Sequence, residues 1–263
     1  QQKVDDMEMQ YRVSQRRKYP IALVIDSVCD LPREIIDYYQ IHVVPLFLNF
    51  GESHYLDKIT IKPDQFYSML ESTDIYPVSA QPGINSFQNL YHFLATHYDS
   101  VIAIHVSDKL SGTWNSSLKA AERLKGKKIS VINSRHVSGS FGLLVLRAAQ
   151  LIENGTDHDE IVKTIESLTK NSRIFVSVNT LKYMVKGGRV SPMKGLLAKM
   201  MNLKPIVSVD EEGNSKLYGK AFSRLGNMKK ILGYIDELNR KCRIENYNIT
   251  HAHAPKQAKA FEE

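Results

Sequence analysis

Three loops in this sequence gather hydroxyl, amide and glycine residues directly after apolar runs of strand length. Asp26-Ser27-Val28-Cys29-Asp30 follows the run 21–25. Ser107-Asp108-Lys109-Leu110-Ser111-Gly112-Thr113 follows 101–106. Asn133-Ser134-Arg135-His136-Val137-Ser138-Gly139 follows 129–132. Hydroxyls donate hydrogen bonds to oxyanions, and the free N–H groups at a helix start favour negative charge. Each loop alone reads as ordinary helix capping. Three at consecutive strand ends point to an anion pocket, because open parallel sheets bind ligands beyond the carboxyl ends of their strands. A fourth polar segment, Val78-Ser79-Ala80-Gln81-Pro82-Gly83, is a turn from which Ser79 can donate to an anionic headgroup. The stretch 181–191 ends a helix at Gly187-Gly188 and presents Arg189, suited to a carboxylate, a phosphate or a partner chain. On a strand, His251-Ala252-His253 would turn both rings to one side. No third ligand is spaced nearby, so no metal is expected; one such His suits an anion or hydroxyl better.

Catalytic signatures are missing. No serine sits in G-x-S-x-G, and neither G-x-G-x-x-G, a P-loop nor H-E-x-x-H occurs. Hydroxyls and glycine turns without a nucleophile–base set describe a binder without a cofactor, not a catalyst. The net charge is +7, which favours anionic ligands or partners. The cluster Arg12, Arg16, Arg17, Lys18 has no aromatic interleaving and belongs to no known binding module, so nucleic acid is not expected. Apolar residues make up 43% of the chain and charged residues 24%, a globular composition. No apolar run has the ~18–20 residues of a membrane span, and nothing at the start reads as a signal peptide. Cys29 and Cys242 lie far apart and match no metal pattern, as in a reduced, cytoplasmic chain.

The elements that must carry these loops alternate. Continuous apolar runs at 21–25, 43–50, 101–106, 129–132, 174–178 and 205–209, with a weaker one at 247–250, read as buried strands. Helical periodicity or start signals fall between them, after Pro32, from Pro63, and over 86–98, 141–152, 161–168, 181–185 and 228–238. This alternation predicts an α/β fold whose N-terminal part is a doubly wound, mostly parallel sheet. The turn Asn154-Gly155-Thr156-Asp157 marks the neighbourhood of a boundary. Beyond it the strands shorten and Asp210-Glu211-Glu212-Gly213-Asn214 reads as a hairpin turn, so a smaller α/β domain with a mixed sheet is expected. The expected division is an N-terminal arm over 1–19, an N-terminal domain over 20–165 and a C-terminal domain over 166–263. The last helical pattern (257–261) runs to the chain end, so the natural C-terminus is expected to lie further on.

In order, these motifs resemble the DegV family of bacterial fatty-acid-binding proteins. The matching pieces are Asp26-Ser27…Asp30-Leu31, Ser79…Gln81-Pro82, Leu110-Ser111-Gly112-Thr113-Trp114, Asn133-Ser134…Ser138…Gly142, Gly187-Gly188-Arg189-Val190-Ser191, Leu203-Lys204-Pro205-Ile206 and His251-Ala252…Ala254-Pro255. The resemblance implies two α/β domains with a long-chain fatty acid between them, its carboxylate held at Ser79, Ser111, Gly112 and His251. It also implies a partner fatty acid kinase that phosphorylates the bound carboxylate, docks beside Arg189 and serves phospholipid metabolism. Catalysis would then lie in the partner, with no stable membrane insertion. Two positions depart from the family pattern: Ala80 and Gly83 stand where serine is usual, which thins the headgroup network. Leu196, Leu197, Met200 and Met201 follow Arg189 on a sparsely charged helical pattern suited to an acyl chain. The alternative is an enzyme that takes a small phosphate-containing anion on the same hydroxyl loops.

Overall fold

A computed structural model of the chain describes residues 17–189 and 203–263. Strand β1 (Ile21–Asp26) is buried along its whole length, and so is β6 (Ser100–His105). They pair in parallel at the centre of a four-stranded sheet, flanked by β2 (His42–Val44) beside β1 and β7 (Ile129–Asn133) beside β6, all parallel.

The twofold period of the strands sorts their side chains between two cores. Ile21, Leu23, Ile25, Ile102 and Ile104 face one side. There they meet Phe141, Leu144 and Val145 of helix α5 (Ser138–Glu153) and Ile161 and Ile165 of α6 (His158–Asn171). Ala22, Val24, Val101 and Ala103 face the other, against Phe87, Tyr91 and Leu94 of α3 (Ile84–His97) and Ala120 of α4 (Thr113–Glu122). Small strand residues on that face leave room for the two aromatic rings. Tyr19, in the expected N-terminal arm, is buried in the first core, and its hydroxyl donates to Glu153 Oε1 at 3.0 Å.

The apolar run 43–50, read as one strand, is two. Pro45 has no N–H for a ladder, and the chain leaves the parallel sheet there. It re-forms as β3 (Phe47–Phe50), which pairs antiparallel with β4 (Ser53–Leu56) and β5 (Val78–Ala80). Gly51 makes the β3–β4 turn at φ 59°. Short helices α1 (Arg33–Tyr38) and α2 (Pro63–Ser72) complete this half.

In the C-terminal half, β8 (Val176–Ser177), β9 (Lys204–Val209) and β10 (Ser215–Ala221) form a sheet in the order β10-β9-β8. Its pairings are all antiparallel among the described residues, where the sequence pattern suggested a mixed sheet. The short β9–β10 connection imposes this on its own pair. Asp210 Oδ1 accepts from the N–H groups of Glu212 (3.0 Å) and Asn214 (2.9 Å), closing the predicted hairpin turn. Helix α8 (Arg224–Lys241) is tied to β9 by Asn227, whose Nδ2 donates to the carbonyls of Lys204 and Pro205. α7 (Lys182–Lys186) and α9 (Pro255–Glu262) are the remaining described helices. The expected strand at 247–250 does not form: Tyr247 and Ile249 are exposed, and Asn248 instead donates its Nδ2 to Gly139 O at 2.8 Å. Among the described residues no helix is long and apolar enough to cross a membrane.

Candidate functional site

The order β2-β1-β6-β7 places a topological switch point between β1 and β6, where the chain winds outward in opposite directions. Ligands of doubly wound sheets bind at that point. The buried Asp26 carboxylate fastens both strand ends there. Its Oδ1 accepts from Val28 N (3.0 Å), and its Oδ2 accepts from Val106 N (2.9 Å) and lies 3.1 Å from His105 Nδ1. Ser27 Oγ accepts from Leu46 N at 3.0 Å and holds the β2–β3 connection to the same place.

Val28, Val106 and Leu46 consequently form part of the wall of a cavity of about 540 Å³ between the parallel sheet and the C-terminal sheet. That size falls inside the range of small-molecule sites, roughly 300–1,000 Å³. Leu110, Val137, Ile174, Val176, Met184, Val207 and Val209 extend the apolar wall. Ser79, Gln81, Ser111, Gly112, Ser208, Ser215 and Arg189 supply its polar portion.

Of the five residues predicted for the site, four line this cavity: Ser79, Ser111, Gly112 and Arg189. Ser79 comes from β5, and Ser111 and Gly112 from the turn that starts α4. Ser111 Oγ lies 2.8 Å from Thr113 Oγ1 and accepts from Thr113 N at 3.3 Å, so it caps α4 while facing the cavity. Arg189 leaves α7 through Gly188, whose φ of 76° reverses the chain. Its Nε donates to Leu110 O at 3.4 Å across the cavity rim. His251 is exposed, is not among the lining residues, and accepts from Ala254 N at 3.3 Å. The His251-Ala252-His253 pair is off any strand, and His253 packs its ring against Tyr67 at 5.3 Å. No cluster of three metal-ligating side chains occurs among the described residues. The helical pattern of Leu196, Leu197, Met200 and Met201 lies outside them.

The three hydroxyl loops do converge, but several of their polar groups are already bonded to one another or to neighbouring segments. Ser138 Oγ donates to Asp30 Oδ2 at 2.7 Å, and Asp30 Oδ1 takes Lys58 Nζ at 2.6 Å. Ser107 Oγ donates to Gly213 O at 2.9 Å, across to the C-terminal hairpin. Asn133 Nδ2 donates to Asp108 Oδ1 at 2.8 Å. Burial in the first core pushes the Cys29 thiol well above its ordinary range, so it stays protonated.

Residues 20–263 match the family model described as an uncharacterised protein of the DegV family. The chain belongs to the DegV family. A DegV domain-containing protein of Clostridium perfringens is 34% identical over 84% of this chain and 79% of its own length. Among solved structures, a DegV family protein from Thermus thermophilus, described by its fatty acid binding, is 30% identical with a TM-score of 0.77, covering 83% of this chain and 77% of its own. DegV from Bacillus subtilis, described as a fatty acid binding protein, is 28% identical with a TM-score of 0.81, covering 93% and 87%. The α/β architecture of this DegV chain, a parallel sheet with separate antiparallel sheets, therefore matches that of solved DegV proteins.

Sequence reasoning passed over Gln81, Ser208 and Ser215. Gln81 stands in the sequence as part of a turn and of the Ser79…Gln81-Pro82 motif, with no role of its own attached. Its signal was Gly112, a glycine before a helix whose need shows only when the opposing side chain is known. Ser208 and Ser215 are strand residues whose facing depends on how the C-terminal sheet docks.

Proposed function

We propose that this DegV protein binds one long-chain fatty acid in the cavity between its two sheets. The observation that carries this is an apolar cavity at the switch point with Ser79, Ser111 and Gly112 gathered in its lining. An acyl chain fits such walls, and each methylene taken from water contributes about 0.8 kcal/mol. Association and ordering costs offset much of that gain. The carboxylate goes to the Ser79 and Ser111 hydroxyls and the start of α4, where helix N–H groups favour negative charge. The family resemblance also assigns His251 to the headgroup. That requires residues 248–254 to come to the cavity when the ligand is bound, and lost acid retention in His251→Ala is its signature.

The bound acid is then offered to a fatty acid kinase that docks beside Arg189, and the phosphoryl transfer takes place in that partner. Arg189 suits the role because its guanidinium is exposed at the rim and can pair bidentately with a carboxylate or phosphate.

Denaturing extraction of the purified protein, followed by mass spectrometry, tests the binding. A stoichiometric fatty acid is expected. Protein that carries no lipid and gains no thermal stability from added fatty acid would reject it. Mixing the loaded protein with a fatty acid kinase and ATP tests the second step. Acyl phosphate should form with the wild type and fall sharply with Arg189→Ala when the two proteins are compared at equal lipid loading.

A further inference from the structure

Gly112 has φ −75° and ψ 7°, a conformation open to any residue, so its backbone does not call for glycine. Its neighbour does. A Cβ at position 112 would fall 1.9 Å from Gln81 Oε1 and 2.8 Å from Gln81 Nε2. The Gln81 amide is pressed against the Gly112 backbone, and its Nε2 donates to Ser116 Oγ at 2.9 Å. Ser116 is buried on α4, one turn beyond Gly112.

The consequence lies in what the two segments carry. Gln81 stands two residues after Ser79, at the end of β5 in the antiparallel sheet. Gly112 stands one residue after Ser111, at the end of the loop from β6 in the parallel sheet. The two headgroup hydroxyls therefore sit on separate segments, Ser79 in β5 of the antiparallel sheet and Ser111 in the loop that leaves β6 of the parallel sheet, and the Gln81 side chain spans the gap between them. Two donors serve one carboxylate only if their spacing is held to within about 0.5 Å. With alanine at position 80, no hydroxyl next to Ser79 can make up for a loss of register.

Resting on the fatty-acid reading, we propose that Gln81 is a positioning residue. By joining the β5 end to the start of α4 it sets the Ser79–Ser111 spacing. It thereby makes the cavity select a carboxylate headgroup over a neutral one on the same chain.

The test is displacement of a fluorescent acyl probe by palmitic acid and, separately, by hexadecanol. These share a chain length and differ in headgroup. Wild type, Gln81→Ala and Gly112→Ala are compared. In Gln81→Ala the affinity for the acid should fall about ten- to hundredfold, the worth of one hydrogen bond to a charged group. Affinity for the alcohol should stay within about twofold. Gly112→Ala displaces the amide without removing it and should lose the preference for the acid in the same way. Equal losses for acid and alcohol, or an unchanged ratio in both variants, would overturn the positioning role and leave the fatty-acid reading standing. If wild type takes up neither compound, the fatty-acid reading falls and the positioning role falls with it.

Discussion

The two halves of the molecule are built to different standards. In the N-terminal half the sheet is covered on both faces. Strands β1 and β6 have no exposed residue, and two cores flank them with fully buried aromatic rings from α3 and α5. Among the described residues of the C-terminal half fewer hydrophobic side chains are buried: Leu181 and Val207 pack with a few half-buried neighbours, and Ile206, Ala221 and Ile231 are buried besides. Phe222 is 84% exposed and Leu225 56%. The first half can hold its shape from its own burial. The second is steadied by contacts to the first: Ser107 to the Gly213 carbonyl, Arg135 to the Glu211 carbonyl, Arg189 to the Leu110 carbonyl, and Tyr76 to the Tyr183 carbonyl. A ligand between them would bury apolar surface on the weaker half, so occupancy should stabilise that half more.

The sharpest way to break this comparison is to remove a core side chain from each half. Phe141→Ala should cost about 3–5 kcal/mol of global stability in urea titration. Val207→Ala should cost clearly less and show as faster amide exchange confined to β8, β9 and β10. Equal global losses would mean the halves are equally self-sufficient.

Next in size is the hairpin tip. Gly213 sits at φ 93°, and a Cβ there would lie 2.2 Å from Ser107 Oγ and 3.1 Å from the Arg135 backbone. Gly213→Ala should cost about 2 kcal/mol through the backbone conformation alone. Its effect should appear as undocking: exchange rises in 203–221 and in 107–112, while β1 keeps its protection. Uniform loss of protection would refute the view that the tip is an anchor.

A third effect separates the halves by pH. Burial lowers the pKa of His42 to about 4, and burial also lowers those of His136 and His158, all in the N-terminal half. A lowered folded-state pKa means the unfolded chain binds the proton first. Stability is therefore full above the unfolded value near 6.5 and is lost as pH falls towards the folded values. His42→Gln should recover about 1–2 kcal/mol of the stability lost between pH 7 and pH 5. An unchanged pH slope in that variant would show that this ring does not drive acid unfolding.

Smallest is Ser107→Ala, which removes its bond to the Gly213 carbonyl and the local one its Oγ accepts from Lys109 N. It should cost about 1 kcal/mol, with amide exchange rising more over 210–215 than in β1 and β6. A larger rise in β1 and β6 than at the hairpin would place Ser107 chiefly among the N-terminal half's own supports.

Much of this was legible along the chain. The apolar runs at 21–25, 101–106 and 129–132 become the parallel strands, and Asp210–Asn214 becomes the hairpin turn. Strand burial, helix periodicity and turn chemistry are local properties written in contiguous residues. Pro45 also marked the break between β2 and β3, but the surrounding apolar run hid it. The candidate site was half legible. Ser79, Ser111, Gly112 and Arg189 stand out by type and setting, and all reach the cavity. The sequence could not say that Ser107 and Ser138 would turn to Gly213 and Asp30, because those partners are more than a hundred positions away.

By itself, then, the sequence determined the buried strands of the parallel sheet, which loops carry donors, and a resemblance to fatty-acid-binding relatives. Only the tertiary structure decided which donors are already occupied, that Gln81 rather than a second serine spans the gap to α4, and that His251 lies outside the cavity. The reason is physical. Pattern and propensity act over a few residues, whereas a donor's availability depends on what the sheet order brings opposite it.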